Sequence, residues 1–425
     1  MDEGEFEWFV GIDWASETHE VCVVDARGRK VGGRSFEHSG AGLSQLADWI
    51  ATMTSAAVAS RVAVVVELVR GALIATLLER GYRVFACNPK QTDRFRDRHS
   101  VAGAKDDRLD AFVLAEAGRK DLALLREVPR EGEHIVRVRE LARLHSQLTA
   151  DYVRVTHRLR DQLRRYYPQM LAFGDDVGEA WRLALWELAP TPDAVAKLRP
   201  AAVRALLARH RIRRVTADQV LEALRAPKLH LAPGVRDAAS LSVGVLVPQV
   251  RLLRDQLRTI DRQLEDALDA FGVADTENEP GQKSEQRDVA ILKELPGAGR
   301  FVIATLLAEA WPALRERDYH HLRALCGVAP ITQQTGKQGS RGGPKPVVIM
   351  RRACNERLRE ALWHWAGAAM IHDPYWRAQG AALRARGLSA ARTRRTIGQR
   401  LLRVACACLR DGVPYEGERH AAKAA

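Results

Sequence analysis

Residues 61–67 read Arg61-Val-Ala-Val-Val-Val-Glu67, five apolar and mostly β-branched positions leading straight into an acid. Such a run, with no polar alternation, marks a strand covered on both faces at the centre of a sheet. The segments around it supply the neighbours. Residues 9–12 and 21–24 are short apolar strands, Asp25-Ala-Arg-Gly28 is a turn, and 30–36 can return as a third strand, which predicts an antiparallel meander. A helix is predicted over 43–53, with Leu43, Leu46, Ala47 and Ile50 on one face. A second fits 71–80 and stops at Gly81, a fifth strand fits 82–87 and ends at Asn88-Pro89, and a further helix fits 105–120, with Leu109, Phe112, Val113 and Ala117 inward.

The order β-β-β-α-β-α-β-α is that of a ribonuclease H-like α/β domain over residues 1–125. The chain then changes character. From 133 to 170, Leu141, Leu144, Leu148, Tyr152, Val155, Leu159, Leu163 and Tyr166 follow steps of three and four. A second such run, over 245–271, passes through Leu253, Leu257, Ile260, Leu264, Leu268 and Phe271. These predict two long helices with a coiled-coil seam, paired antiparallel within one chain or across a dimer. Together they define a helical region over 130–275, with an inserted cap of short, proline-broken helices over 174–240. Residues 275–286 are polar and contain Pro280-Gly281, a linker pattern. A mainly helical domain is expected over 289–413, then a tail over 414–425.

At 425 residues, the chain is long enough for two or three domains, and 46% apolar content is enough to bury a core. The formal net charge is +13, and it is uneven. From Arg341 to Ala425 there are 17 basic and 6 acidic side chains, so most of the excess lies in the last fifth. That points to a polyanionic partner. Acids at Asp2, Glu3, Glu5 and Glu7 are the wrong start for an export leader, so none is expected, and no apolar run approaches a membrane span. The six cysteines are scattered, neither zinc-spaced nor dense enough for a disulfide scaffold. The expectation is a reduced, cytoplasmic protein, with Cys406 and Cys408 packed in a helix.

Four acids of the first domain stand out. Asp13 follows the first strand, Glu67 follows the central one, and Asp107 and Asp110 share one face of the closing helix. If that face meets the strand ends, the four carboxylates converge, and such a cluster needs cations. Mg2+ is the natural choice, since it takes carboxylate, water and phosphate oxygens and can act on phosphodiesters. Taken singly, each acid also has an ordinary reading as a cap, a dipole partner or half of an ion pair.

In the last domain, Leu295-Pro-Gly-Ala-Gly299 before an apolar helix looks like half of a phosphate-binding helical hairpin, or an ordinary helix-joining turn. Cys326-Gly-Val-Ala-Pro330 leads into a glycine- and base-rich loop containing Thr335, Lys337, Ser340, Arg341 and Lys345. A helix is predicted over 348–369, carrying Arg351, Arg352, Arg357 and Arg359. A further basic run includes Arg392, Arg394, Arg395 and Arg400. Trp363, Trp365, Tyr375 and Trp376 interleave with these bases, which suits nucleic acid, although Trp363 is expected in the core.

Gly11-Ile12-Asp13-Trp14-Ala15 and Lys105-Asp-Asp-Arg-Leu-Asp-Ala111 closely resemble the N-terminal domain of the IS-one-ten family of insertion-sequence transposases. Residues 289–413 resemble that family's C-terminal transposase domain. The resemblance implies a RuvC-like domain whose DEDD tetrad falls on Asp13, Glu67, Asp107 and Asp110, with Asp106 as a non-tetrad neighbour. It implies a Ser-Gly nucleophile pair after Gly-Val-Ala-Pro; here the corresponding pair is Thr335-Gly336. Threonine keeps the hydroxyl, but its methyl stiffens the rotamer and crowds an in-line approach. Ser340 as nucleophile and an impaired copy both stay open.

Lys105, Lys337, Arg341, Lys345, Arg351, Arg352, Arg392, Arg394 and Arg395 are the expected nucleic-acid contacts. The resemblance further implies excision and reinsertion of a mobile element, and a structured bridge RNA that pairs with donor and target DNA. Homodimers assembling into a tetramer around two duplexes are expected. The rivals are a junction-cutting nuclease using only the four acids, and a nucleic-acid-binding relic. A sugar-kinase-like fold shares the early Asp and the meander, but no phosphate-binding glycine loop accompanies it.

Overall fold

The computed structural model describes residues 6–55, 58–67, 71–98, 106–130, 132–270, 280–333 and 347–417, giving only the backbone of 280–286, 333, 347 and 348. The chain divides into two compact units, Met1–Glu131 and Gly132–Ala425. Among the described residues, no helix is long and apolar enough to cross a membrane.

In the first unit, β1 (Trp8–Trp14), β2 (Thr18–Asp25) and β3 (Lys30–Glu37) form the expected antiparallel meander. The turn between β2 and β3 closes because the Asp25 carboxylate accepts the backbone N–H groups of Arg27 and Arg29, while Gly28 takes φ +83°. After α1 (Gly40–Thr54) comes β4 (Val62–Val66), every residue of which is buried. It lies parallel to β1. α2 (Ala72–Glu79) leads to β5 (Arg83–Ala86), parallel to β4. α3 (Pro89–Asp97), α4 (Asp107–Asp121) and β6 (Arg126–Val128) complete the unit. The described sheet runs β3-β2-β1-β4-β5-β6, with β6 antiparallel to β5.

Strand alternation sorts the two faces. Val10, Ile12, Val64 and Val66 pack with Leu46 and Ile50 of α1 and Leu73 and Leu77 of α2. Phe9, Ala63, Val65 and Phe85 pack with Phe95 of α3 and with Val113, Leu114 and Ala117 of α4. Two elements go beyond the sequence expectation. Asn88-Pro89, read only as a stop, starts α3: Asn88 accepts from Lys90 N–H, donates its own N–H to Gln91, and Pro89 fills the first turn. The short edge strand β6 is pinned to β5 by a two-bond Arg83–Glu127 pair, both contacts at 2.7 Å.

The second unit is built on α5 (Glu133–Tyr166) and, further on, α9 (Pro233–Ala270). Between them lie α6 (Ala180–Leu188), α7 (Pro200–Arg209) and α8 (Ala217–Leu224). Ile135, Val138 and Ala142 share a core with Leu264, Ala267 and Leu268, whereas Leu159, Leu163 and Tyr166 share another with Ala239, Val243 and Val250. The two long helices therefore pair antiparallel within one chain. α9 starts at Pro233, ahead of the repeat beginning at Val245, because proline is tolerated in a first turn.

Next come α10 (Pro280–Lys293), α11 (Arg300–Arg315), α12 (Tyr319–Leu325), β7 (Pro330–Gln333), β8 (Val347–Met350), α13 (Glu356–His372), α14 (Pro374–Ala385) and α15 (Ala390–Asp411). The helix predicted from 348 begins only at Glu356, where Asn355 caps it by accepting the N–H groups of Arg357 and Leu358. Val347–Met350 is instead a strand pairing antiparallel with β7, so Arg351 and Arg352 lie between β8 and α13. The turn at 295–299 is used internally. A Cβ on Gly297 would fall 2.4 Å from the Ala369 backbone nitrogen, and Trp365 donates to the Pro296 carbonyl at 2.9 Å. Cys406 and Cys408 are buried, as expected.

Candidate active site

β1 and β4 run side by side, with Ile12 opposite Val66 as their last registered pair. Asp13, still within β1, and Glu67, just past β4, are the next residues, so the two acids stand at the same level on adjacent parallel segments. α4 crosses this edge in backbone contact with the sheet. A Cβ on Gly11 would lie 2.0 Å from the Ala111 carbonyl oxygen and 2.4 Å from the Ala115 nitrogen. A Cβ on Gly118 would lie 2.7 Å from Val65. Only glycine at these positions lets the helix come this close.

The far half of α4 is fixed as well. Buried Glu116 accepts from Arg119 at 2.7 and 2.9 Å and pairs with Lys120 at 2.7 Å. Arg119 holds the Glu116 carboxyl down to about 2.

At its start, α4 is capped by Asp106, whose carboxylate accepts the Arg108 N–H at 3.0 Å. Asp106 is thereby used by the helix, and Asp107 and Asp110 stand in the first turn. Oxygens of Asp13, Asp107 and Asp110 all lie within 4.8 Å of one another. Asp107 is exposed, whereas Asp110 is only 3% exposed. Three hard oxygen donors at this spacing, open on the Asp107 side, fit a divalent cation with oxygen preference. Glu67 is not one of the three; it is half-buried, and its charge acts on Arg96 and Cys87.

Arg96, on α3, was not singled out by the sequence. Its Nε donates to Asp110 Oδ1 at 2.6 Å, its Nη2 donates to Oδ2 at 2.8 Å, and its Nη1 reaches Asp93 at 3.1 Å. A histidine pair on the other side of Asp13 was also missed. His19 faces Trp14 across β1 and β2 and is fully buried. Its Nε2 lies 2.8 Å from His38 Nδ1. Burial, and then His38, push the His19 pKa down to about 4, so the ring is neutral at pH 7.

In the second unit, Thr335, Lys337, Ser340, Arg341 and Lys345 lie outside the described residues, as does Lys105 of the first. Arg392, Arg394 and Arg395 occupy the first turn and a half of α15. They flank clefts whose other walls include Gly327, Val328 and Met350, at the roots of β7 and β8. Trp365 and Trp376 are core residues. Trp363, expected in the core, is only partly buried: it lines the cleft wall, and its ring lies 4.8 Å beneath the Arg394 guanidinium.

Residues 10–168 match the family model for the DEDD transposase domain of IS110-type elements, and residues 289–381 match that described as "Transposase IS116/IS110/IS902 family". A putative transposase, y4uE, from Sinorhizobium fredii is 44% identical over 209 residues, covering 49% of this chain and 58% of that protein. The mini-circle putative transposase for IS117 from Streptomyces coelicolor is 30% identical over 427 residues, covering 99% of this chain and 98% of that protein. The IS116 insertion-element protein of Streptomyces clavuligerus is 26% identical over 345 residues, covering 80% and 79%. With full-length similarity to the IS117 protein and both domain types in order, the chain belongs to the IS110 family of insertion-sequence DNA transposases.

Proposed function

We propose that this chain excises an insertion sequence and reinserts it at a target site, with the first unit acting as an RNase H-like, RuvC-like domain that holds Mg2+. The observation that carries the reading is the carboxylate trio, Asp13, Asp107 and Asp110, within 4.8 Å at the carboxyl end of β1. The sheet order, with an antiparallel meander feeding two parallel strands, supports the RNase H-like assignment. Asp13, Asp107 and Asp110 are the residues that would hold the metal, with Glu67 beside them. A bound divalent cation supplies Lewis-acid stabilisation of charge on a phosphodiester oxygen.

The second unit supplies the nucleophile. The Thr335 hydroxyl attacks the phosphorus, the bond from phosphorus to a deoxyribose oxygen breaks, and that oxygen takes up a proton. The product is a phosphothreonine link that a later hydroxyl reverses. The acids of the first unit and this hydroxyl serve one strand-transfer reaction, carried out by a dimer or tetramer. Lys337, Arg341, Lys345, Arg351, Arg352 and Lys105 hold DNA phosphates. Target choice is delegated to pairing with a bridge RNA, as in other guided systems.

The test is a strand-cleavage assay on element-end DNA with the full chain and its flanking RNA. Asp107→Asn and Thr335→Ala each abolish strand transfer, Thr335→Ala also removes the denaturant-resistant protein–DNA adduct, and Ser340→Ala keeps both. An adduct lost only in Ser340→Ala moves the nucleophile to Ser340. Cleavage that survives loss of both hydroxyls, with no adduct, supports the nuclease reading. That second reading has one observation in its favour: the carboxylate trio is assembled wholly from residues of the first unit.

A further inference from the structure

Helices α13 and α15 meet the β7–β8 hairpin around a cleft of about 610 Å³. One part of its wall is apolar, made by Val328, Met350, Leu362 and Trp363. A second depression of about 460 Å³ shares Val328, Met350 and Arg395 with it and continues to Arg392. An apolar slot thus opens onto a basic trough.

Two features of this place are costly in a free protein. Trp363 leaves part of a large aromatic surface in solvent, while Trp365 and Trp376 nearby are buried. Its ring is fixed by Arg394, which rests over it at 4.8 Å and packs against Gly367, where a Cβ would stand 3.5 Å from the guanidinium carbon. Arg392, Arg394 and Arg395 have no ion pair among the described residues, so three guanidinium groups crowd one helix start without an anion. Two acids line the same cleft, both at its exposed side: Glu356 pairs with Arg359 at 3.3 Å, and Glu360 stands 3.9 Å from His364.

We propose that this cleft takes one unpaired nucleotide of a DNA strand, its base against Trp363 and its flanking phosphates on Arg392 and Arg395. A rigid aromatic face beside unpaired cations matches the chemistry of a nucleotide, an apolar π-face carried on a charged backbone. Paired bases in a duplex present no face to such a slot, so the occupant is unpaired. The position fits the need, since Thr335 follows β7 by two residues and strand cleavage unpairs bases near the cut. The inference rests on the DNA-transposase reading and adds a base-binding site to it.

The experiment measures binding of the full chain to a short labelled single-stranded oligothymidylate, an abasic strand with the same number of phosphates, a duplex and an oligouridylate. Wild type prefers the base-bearing DNA strand over the abasic one. Trp363→Ala weakens binding of the base-bearing strand by about tenfold and removes that preference, while Trp363→Phe keeps part of it. Arg392→Ala with Arg395→Ala weakens base-bearing and abasic strands alike and flattens the salt dependence. Circular dichroism melts show that each variant is folded. A wild type with no base preference overturns the inference, as does a Trp363→Ala variant that keeps it, or a stronger preference for the RNA strand. Loss of all DNA binding by wild type sinks the transposase reading instead.

Discussion

Arg96 grips Asp110 with two parallel bonds, Nε to Oδ1 at 2.6 Å and Nη2 to Oδ2 at 2.8 Å, and Asp110 is the most buried acid of the carboxylate trio. The guanidinium therefore neutralises, in the resting protein, the carboxylate least able to reach water. It also competes with any cation for those oxygens. Removing it has two opposed effects. Arg96→Gln leaves a buried carboxylate uncompensated and destabilises the metal-free protein, by about 3 kcal/mol. The same change frees Asp110 and tightens Mn2+ binding on the order of tenfold, since one competing positive charge is gone. Calorimetric titration with Mn2+, and the rise in Tm on adding Mn2+, both read this without DNA. A metal-induced Tm rise no larger in Arg96→Gln than in wild type contradicts the argument.

Gly11 sets the distance between the two halves of the site. Any side chain there meets the Ala111 carbonyl oxygen at 2.0 Å, so the helix carrying Asp107 and Asp110 must retreat from Asp13. Gly11→Ala is expected to cost about 3 kcal/mol and to lose most metal affinity. Gly40→Ala is the control, because a Cβ at Gly40 meets nothing within 4 Å, and its Tm stays near wild type. Equal melting curves for the two variants would refute the packing account.

The legible parts of this molecule were those where one residue pattern had one structural solution. Val62–Val66 has no polar residue, so it is a central strand and delivers Glu67 to the sheet edge. The apolar spacing on α4 gave a helix, and with it the pairing of Asp107 and Asp110. The missed parts depend on partners far along the chain. Residues 90–97 are polar except for Phe95, and the helix there rests on a cap at Asn88 and on one buried ring. Without that helix, nothing marked Arg96 as a neighbour of Asp110. Val347–Met350 is too short for its apolar run to separate strand from helix; its pairing with Pro330–Gln333 decides. Trp363 alternates with core tryptophans in sequence, and only the packing of Arg394 upon it separates them.

His19 makes the first unit sensitive to mild acid. Its folded pKa of about 4 lies below the ordinary histidine value of 6.5, so the unfolded chain binds the proton more readily between those values. The stabilising contribution is complete above pH 6.5 and is lost as pH falls toward 4. The loss is on the order of 3 kcal/mol at most. His19→Gln removes this titration. Its Tm against pH should be flatter than that of wild type between pH 6.5 and 4, and parallel curves would dismiss His19 as the source.

Glu309 ties three helices of the second unit together. It accepts from Arg143 of α5 at 3.0 Å, from Arg357 of α13 at 3.5 Å and from the Asn355 amide at 2.8 Å, while sitting on α11. Burial pushes its carboxyl up, but the Arg143 hydrogen bond and charge, with help from Asn355 and Arg357, outweigh this and leave the pKa below its usual value. The group therefore adds stability above the ordinary glutamate range, and that stability fades as pH falls through the lowered value. Glu309→Gln keeps the shape and removes the charge, leaving two guanidinium groups facing a neutral amide. Arg143 is partly solvated, with a quarter of its side chain exposed, so the cost is nearer 2 kcal/mol than the full loss of a buried pair. Because Asn355 both caps α13 and donates to Glu309, the loss reaches the start of the helix that carries Trp363. Hydrogen exchange should accelerate at the Arg357 and Leu358 amides, which Asn355 accepts, and leave the first unit unchanged. Protection at those amides equal to wild type would separate the cap from the buried carboxylate.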